Sequence, residues 1–252
     1  MFKNLFKTAY RSLNRNRFYA MLNTIGLVVG MTVILIVYLI YSYESSFDSY
    51  HPDRDKIFRV NTLLDFNGTK MDNRGAPRPL FEVLDNEVPE IESVALYKSY
   101  ALSGWKTIQN SEEFVLDNAI PLGINEGYFE IFQHQWTKGD AQALFKSPNG
   151  IAISSSLEIA LFNGDGIGKE MSAQFFDFST KETLNLSFQV VAVLEDASPN
   201  TDFRGNIFIP YLPHQAHMEV DEYWGSITSN FQIFVKFDRN SDTDIAVAKV
   251  EE

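Results

Sequence analysis

Residues 18–43 read FYAMLNTIGLVVGMTVILIVYLIYSY, 26 positions without a charge. At about 1.5 Å per residue this is roughly 39 Å of helix, enough to cross a hydrocarbon core about 30 Å thick with some tilt. A cleaved signal peptide has a shorter apolar region, about 7–15 residues, followed by a small-x-small cleavage site. Here the run ends in Tyr41-Ser42-Tyr43-Glu44, so a retained transmembrane helix is predicted over 18–43. Phe18 and Tyr19 at one end, and Tyr38, Tyr41 and Tyr43 at the other, fit the aromatic belts of the two interfaces.

Outward from this run the charge is lopsided. Residues 1–17 carry Lys3, Lys7, Arg11, Arg15 and Arg17 and no acid, a formal +5, whereas all 33 acids lie beyond residue 43, where the net is −17. By the positive-inside rule the N-terminus is cytoplasmic and residues 44–252 are exported across the inner (plasma) membrane. Phe2, Leu5, Phe6, Ala9, Tyr10 and Leu13 recur at spacings of three and four, with basic residues between them. That pattern predicts an amphipathic helix over 1–17 lying on an anionic leaflet, its five basic residues against the headgroups. The alternative is a disordered basic flank. Gly26 and Gly30 form a G-x-x-x-G pair and Asn23 adds a polar group, a face suited to close packing on another helix rather than to lipid alone.

Composition excludes several classes. With no cysteine the chain is no disulfide scaffold. A net charge of −12 is wrong for nucleic acid, whose affinity rests on clustered Lys and Arg releasing counterions.

In the exported portion the period changes. Strands or extended segments are expected at 56–64, 93–109, 113–124, 150–154, 171–178, 184–194, 206–210 and 231–237, and short helices at 79–86, 126–132 and 155–162. Ser154 or Ser155 is the expected N-cap of the last helix, with Glu158 as capping-box partner. Without a βαβ rhythm the fold class is α+β.

The order of segments resembles the MacB/FtsX-type ABC transporter permeases with their MacB-like periplasmic core domain. The likeness is carried by FKTAYRSLNRNRFYAMLNTIGLVVGM at the start, DRDKIFRV at 53–60, GYFEIFQHQWTKGDAQALFKSPNGIAIS at 127–154, LEIALFNGDGIGKEM at 157–171, FQVVAVLEDASPNTDF at 188–203 and FQIFVKF at 231–237. The resemblance implies a cytoplasmic amphipathic helix (1–17), one span (18–43) and a mixed α/β periplasmic domain of two lobes (44–252). It also implies three further spans in the family unit, of which this chain is then a fragment. The implied partners are a cytoplasmic ABC ATPase, a second permease copy or half, membrane lipid and a periplasmic protein. No cofactor is implied, and the part is noncatalytic: it passes ATPase-driven motion across the membrane for export, release or partner regulation.

Local chemistry gives little else. Gly164-Asp165-Gly166-Ile167-Gly168-Lys169 brushes against a P-loop, but Glu170 stands where a Ser or Thr must hold magnesium, so a helix-to-strand turn is expected. His214 and His217 are an incidental pair short of a zinc ligand set, while His51 and His134 stand alone in the sequence. No G-x-S-x-G elbow or H-E-x-x-H helix occurs. A single-span sensor would need more than 17 residues inside, and an anchored envelope enzyme a recognisable nucleophile or metal cluster.

Overall fold

The computed structural model describes residues 2–51, 53–109, 112–177, 181–211 and 223–238, with side chains in the first helix described from Lys7 onward, Ala9 excepted. The chain divides into two units, Met1–Ser49 and Tyr50–Glu252.

The first unit is helical. Helix α1 (Phe2–Arg15) and helix α2 (Arg17–Glu44) meet at Asn16, whose φ of −115° and ψ of 50° lie outside the helical region. Amide hydrogen bonds from Asn16 to Ser12 (3.1 Å) and from Ala20 to Asn16 (3.0 Å) continue on either side, so the break is one residue wide. The 28 residues of α2 include the whole predicted span, none is buried within the structure, and the helix is long and apolar enough to cross a membrane. A helix apolar all round calls for burial in a core or a bilayer. Thr24 and Thr32 donate their hydroxyls back to the Ala20 and Val28 carbonyls, which hides two polar groups inside the helix.

In the second unit a single 3₁₀ turn leads into β1 (Ile57–Val60), β2 (Thr62–Phe66), β3 (Thr69–Asn73), α3 (Pro79–Glu87), β4 (Ile91–Ser99), β5 (Ser103–Gln109), β6 (Glu112–Val115) and β7 (Pro121–Ile124). There follow α4 (Glu126–Ile131), β8 (Trp136–Lys138), α5 (Ala141–Lys146), β9 (Gly150–Ser154), α6 (Ser155–Phe162), β10 (Glu170–Asp177), β11 (Glu182–Leu194), β12 (Ile207–Pro210) and β13 (Phe231–Phe237). Among the described residues eleven strands form one sheet, ordered β1-β13-β4-β7-β12-β9-β11-β10-β5-β6 with β8 on β11, while β2 and β3 form a separate hairpin. The pairs β7/β12 and β9/β11 are parallel and the rest antiparallel. This is the α+β class that the pattern predicted.

The central strands are buried on both faces, which is why they read as unbroken apolar runs. In β9, Ile151 and Ile153 enter one core and Ala152 the opposite one; in β13, Ile233 and Val235 go one way and Phe234 the other. One face carries a single core under α4 and α5, built on Leu122, Ile124, Tyr128, Phe132, Leu144 and Phe208. The other face carries two, one around Trp105, Ile153, Phe162 and Phe188, the other around Leu84, Leu96, Ile233 and Phe237. One continuous sheet runs through this unit, with one core on one face and two separate cores on the other.

Two asparagines extend the middle of the sheet. Asn125, after β7, accepts the Leu96 amide on Oδ1 and donates Nδ2 to the Val94 carbonyl, both at 2.8 Å, adding a rung where β7 has stopped. Before β12, Asn206 likewise accepts the Ile120 amide at 2.7 Å and donates to the Asn118 carbonyl at 2.8 Å.

Three expectations change. The strand expected at 56–64 is split at Asn61: Arg59 Nε donates to Asn61 Oδ1 and Thr62 turns its hydroxyl to the Gly75 carbonyl, which starts the hairpin. The short β8 and α5 were not foreseen, although Asp140 caps α5 by accepting the Ala143 amide at 2.7 Å. Glu158 is no capping-box partner. The N-cap of α6 is Ser154, which accepts from Leu157, so Glu158 lies one position too far along and turns inward.

Candidate functional site

On α1, Lys7, Arg11 and Arg15 follow one another at four-residue spacing and form an exposed stripe, with exposed Tyr10 at its edge and exposed Leu13 on the other side. Lys3 continues the stripe by its spacing, but its side chain lies outside the described ones. Arg17 has a local partner: its Nε donates to the Asn14 carbonyl at 3.1 Å and braces the junction of the two helices. Along α2, Asn23, Gly26 and Gly30 share a face by their spacing of three and four. A Cβ placed on either glycine would meet nothing within 4 Å. The face is therefore open at both glycines.

The glycine-rich segment 164–168 is the expected turn from α6 to β10. Asn163 closes α6 in the left-handed region (φ 52°), and Gly164 and Gly168 have φ near +83° and +81°. Its amides face a carboxylate of the protein itself: the Gly166 amide donates to Glu158 Oε1 at 2.9 Å. Glu158 is buried and also receives Lys138 Nζ at 2.9 and 3.1 Å, while the same ammonium donates to the Gly164 carbonyl. This ion pair locks β8, α6 and the turn together. Lys169 instead pairs with exposed Asp165 at 3.6 Å, where it has no phosphate-binding posture.

The two histidines that stand alone in the sequence come together in space. His51 and His134 line one cavity of about 210 Å³ with Tyr50, Glu195, Asp196 and Ser198. Nε2 of His134 is 3.3 Å from the Tyr128 hydroxyl, and the two rings stack at 5.6 Å. Burial, and secondarily the nearby His51, push the His134 pKa down to about 4 from its ordinary 6.5. Among the described residues no three His, Asp or Glu side chains converge to hold a metal. His214 and His217 lie outside the described residues. Only the fold reveals the His51–His134 pairing, because no local spacing connects the two.

The profile of the MacB-like periplasmic core domain family matches residues 20–252, from within α2 through the sheet unit. Among solved structures, a domain of a protein described as a permease from Porphyromonas gingivalis shares the fold, with a TM-score of 0.63 at 15% identity over 81% of this chain and 83% of that one. The periplasmic region of MacB from Actinobacillus actinomycetemcomitans aligns at a TM-score of 0.47 and 20% identity, covering 77% of this chain and 78% of that one. The extracellular domain of the noncanonic ABC-type transporter YknZ from Gram-positive bacteria aligns at 0.44 and 13%, covering 68% and 77%. No curated protein matches the chain.

Proposed function

The chain belongs to the family of MacB-like periplasmic core domains, the extracytoplasmic part of ABC-type transporter permeases, and on that premise we propose that it is a noncatalytic permease portion of a MacB/FtsX-type system. In this reading α1 lies on the cytoplasmic leaflet with Lys3, Lys7, Arg11 and Arg15 toward anionic headgroups, residues 18–43 span the bilayer, and residues 44–252 stand in the periplasm. A cytoplasmic ABC ATPase supplies the energy. A second permease copy or half packs on the face of Asn23, Gly26 and Gly30, and the span carries the motion outward as a rigid-body switch. The moved domain then acts on a periplasmic partner or substrate.

The observation that carries the reading is the family match over residues 20–252, which takes in most of the apolar helix as well as the sheet domain. The charge step from +5 to −17 across the uncharged run supports the orientation.

The test is made on the assembled membrane protein with its ATPase. Gly26→Leu with Gly30→Leu fills the open face without adding polarity, so membrane levels stay near normal. Packing in lipid is worth on the order of 1–2 kcal/mol per contact at best, so the ATPase should still co-purify while its turnover no longer drives periplasmic output. Full activity of the double variant would reduce α2 to a plain anchor.

A further inference from the structure

Helices α4 and α5 lie beside an open groove of about 510 Å³. Glu126, Phe129 and Glu130 come from one face of α4, Phe145 and Lys146 from the last turn of α5, and Trp136 from β8 completes the lining. The rings make a three-sided aromatic wall: Phe129 to Trp136 is 4.7 Å between centroids at 55°, and Phe129 to Phe145 is 6.3 Å at 70°. All three rings are half-buried, so part of each surface meets solvent. Both glutamates on the rim are exposed, and Glu130 is steadied by the Ser93 hydroxyl at 2.5 Å.

Aromatic faces carry a negative quadrupole, and carboxylates beside them make the same space favourable to a flat or alkylated cation. The domain already uses this chemistry once: Lys98 Nζ lies 5.4 Å from the centroids of both Tyr100 and Tyr211. With two glutamates against Lys146 the rim carries a formal charge of −1, within residues 44–252 whose net charge is −17. Because the groove is open rather than enclosed, it suits a side chain presented by another protein better than a small ligand that must be mostly buried.

We propose that this groove is a docking site for an arginine side chain of a periplasmic partner protein, its guanidinium stacked on Trp136 and paired with Glu126 or Glu130. Arginine fits best because its planar cation both stacks on aromatic faces and forks onto carboxylates. The groove belongs to the sheet unit alone, and only the partner's periplasmic location rests on the proposed orientation of the chain.

Binding of a fluorescent hexa-arginine peptide to the whole 252-residue chain in dodecyl maltoside, followed by anisotropy, tests it. Trp136→Leu removes the π face and keeps apolar bulk, so affinity falls roughly three- to thirty-fold, whereas Trp136→Phe restores most of it. Glu126→Gln with Glu130→Gln weakens binding and flattens its salt dependence, and this surface pair carries the test if Trp136→Leu fails to fold. Affinity unchanged by the two glutamate substitutions, or lowered equally by the distant Glu182→Gln, would overturn the proposal in favour of attraction by the general negative field. Tetramethylammonium displacing the peptide more effectively than ethylguanidinium would overturn the commitment to arginine and point to a small organic cation.

Discussion

His134 is held neutral by its surroundings, and that has a consequence for pH. Its folded pKa of about 4 lies below the 6.5 of the unfolded chain, so on acidification the unfolded state takes up the proton first. The stability tied to neutral His134 is therefore complete above about pH 6.5 and drains away as the pH falls toward 4; at about 1.4 kcal/mol per pKa unit the loss is roughly 3 kcal/mol. His134→Gln cannot take up that proton. Urea midpoints measured at about pH 7.5 and about pH 4.5 should separate less in the variant than in the parent. Equal separation would mean that His134 titrates normally. The pair of buried Glu158 with the partly exposed Lys138 is the other site where single residues matter, and there the role is structural. A lone carboxylate buried without its ammonium is costly, so both partners stay together.

At the scale of elements, legibility followed burial and length. β9, β12 and β13 were readable because strands covered on both faces leave continuous apolar runs. α2 was readable because nothing but a bilayer or a core accommodates 26 uncharged residues. The hairpin of β2 and β3 was missed despite Asn67-Gly68, whose φ values of 54° and 87° are those that a two-residue I′ turn requires. Leu63 and Leu64 prolong the apolar run of β1, and no local pattern encodes the hydrogen bond by which the Thr62 hydroxyl reaches the Gly75 carbonyl just after the kink. β8 and α5, at three and six residues, are too short to show a period. How α4 seats on β4 was also hidden. A Cβ on Gly127 would stand 2.2 Å from the Val94 carbonyl oxygen, a backbone atom that cannot swing aside. Gly127→Ala should therefore cost about 1–3 kcal/mol by forcing α4 off the sheet, and Asn125→Ala about as much by unpairing the Leu96 amide and the Val94 carbonyl. Chemical denaturation followed by tryptophan fluorescence reads both. A Gly127→Ala protein as stable as the parent would contradict the close seating.

For the whole molecule, the proposed membrane contacts are read from local spacing alone, as with Gly26 and Gly30 or Lys7 and Arg11. The His51–His134 cavity and the aromatic groove are not legible in this way, since each gathers residues from elements that only the fold makes neighbours. Everything in the functional account rests on one arrangement, a basic helix inside and an acidic sheet domain outside, joined by α2. The absence of cysteine makes that arrangement directly measurable. Single-cysteine variants Ser12→Cys on α1 and Glu182→Cys on β11, both exposed positions, can be treated in intact spheroplasts with a membrane-impermeant maleimide. The account predicts rapid labelling of Glu182→Cys, and labelling of Ser12→Cys only after the membrane is broken. Labelling of Ser12→Cys in intact spheroplasts, with Glu182→Cys protected, would contradict it.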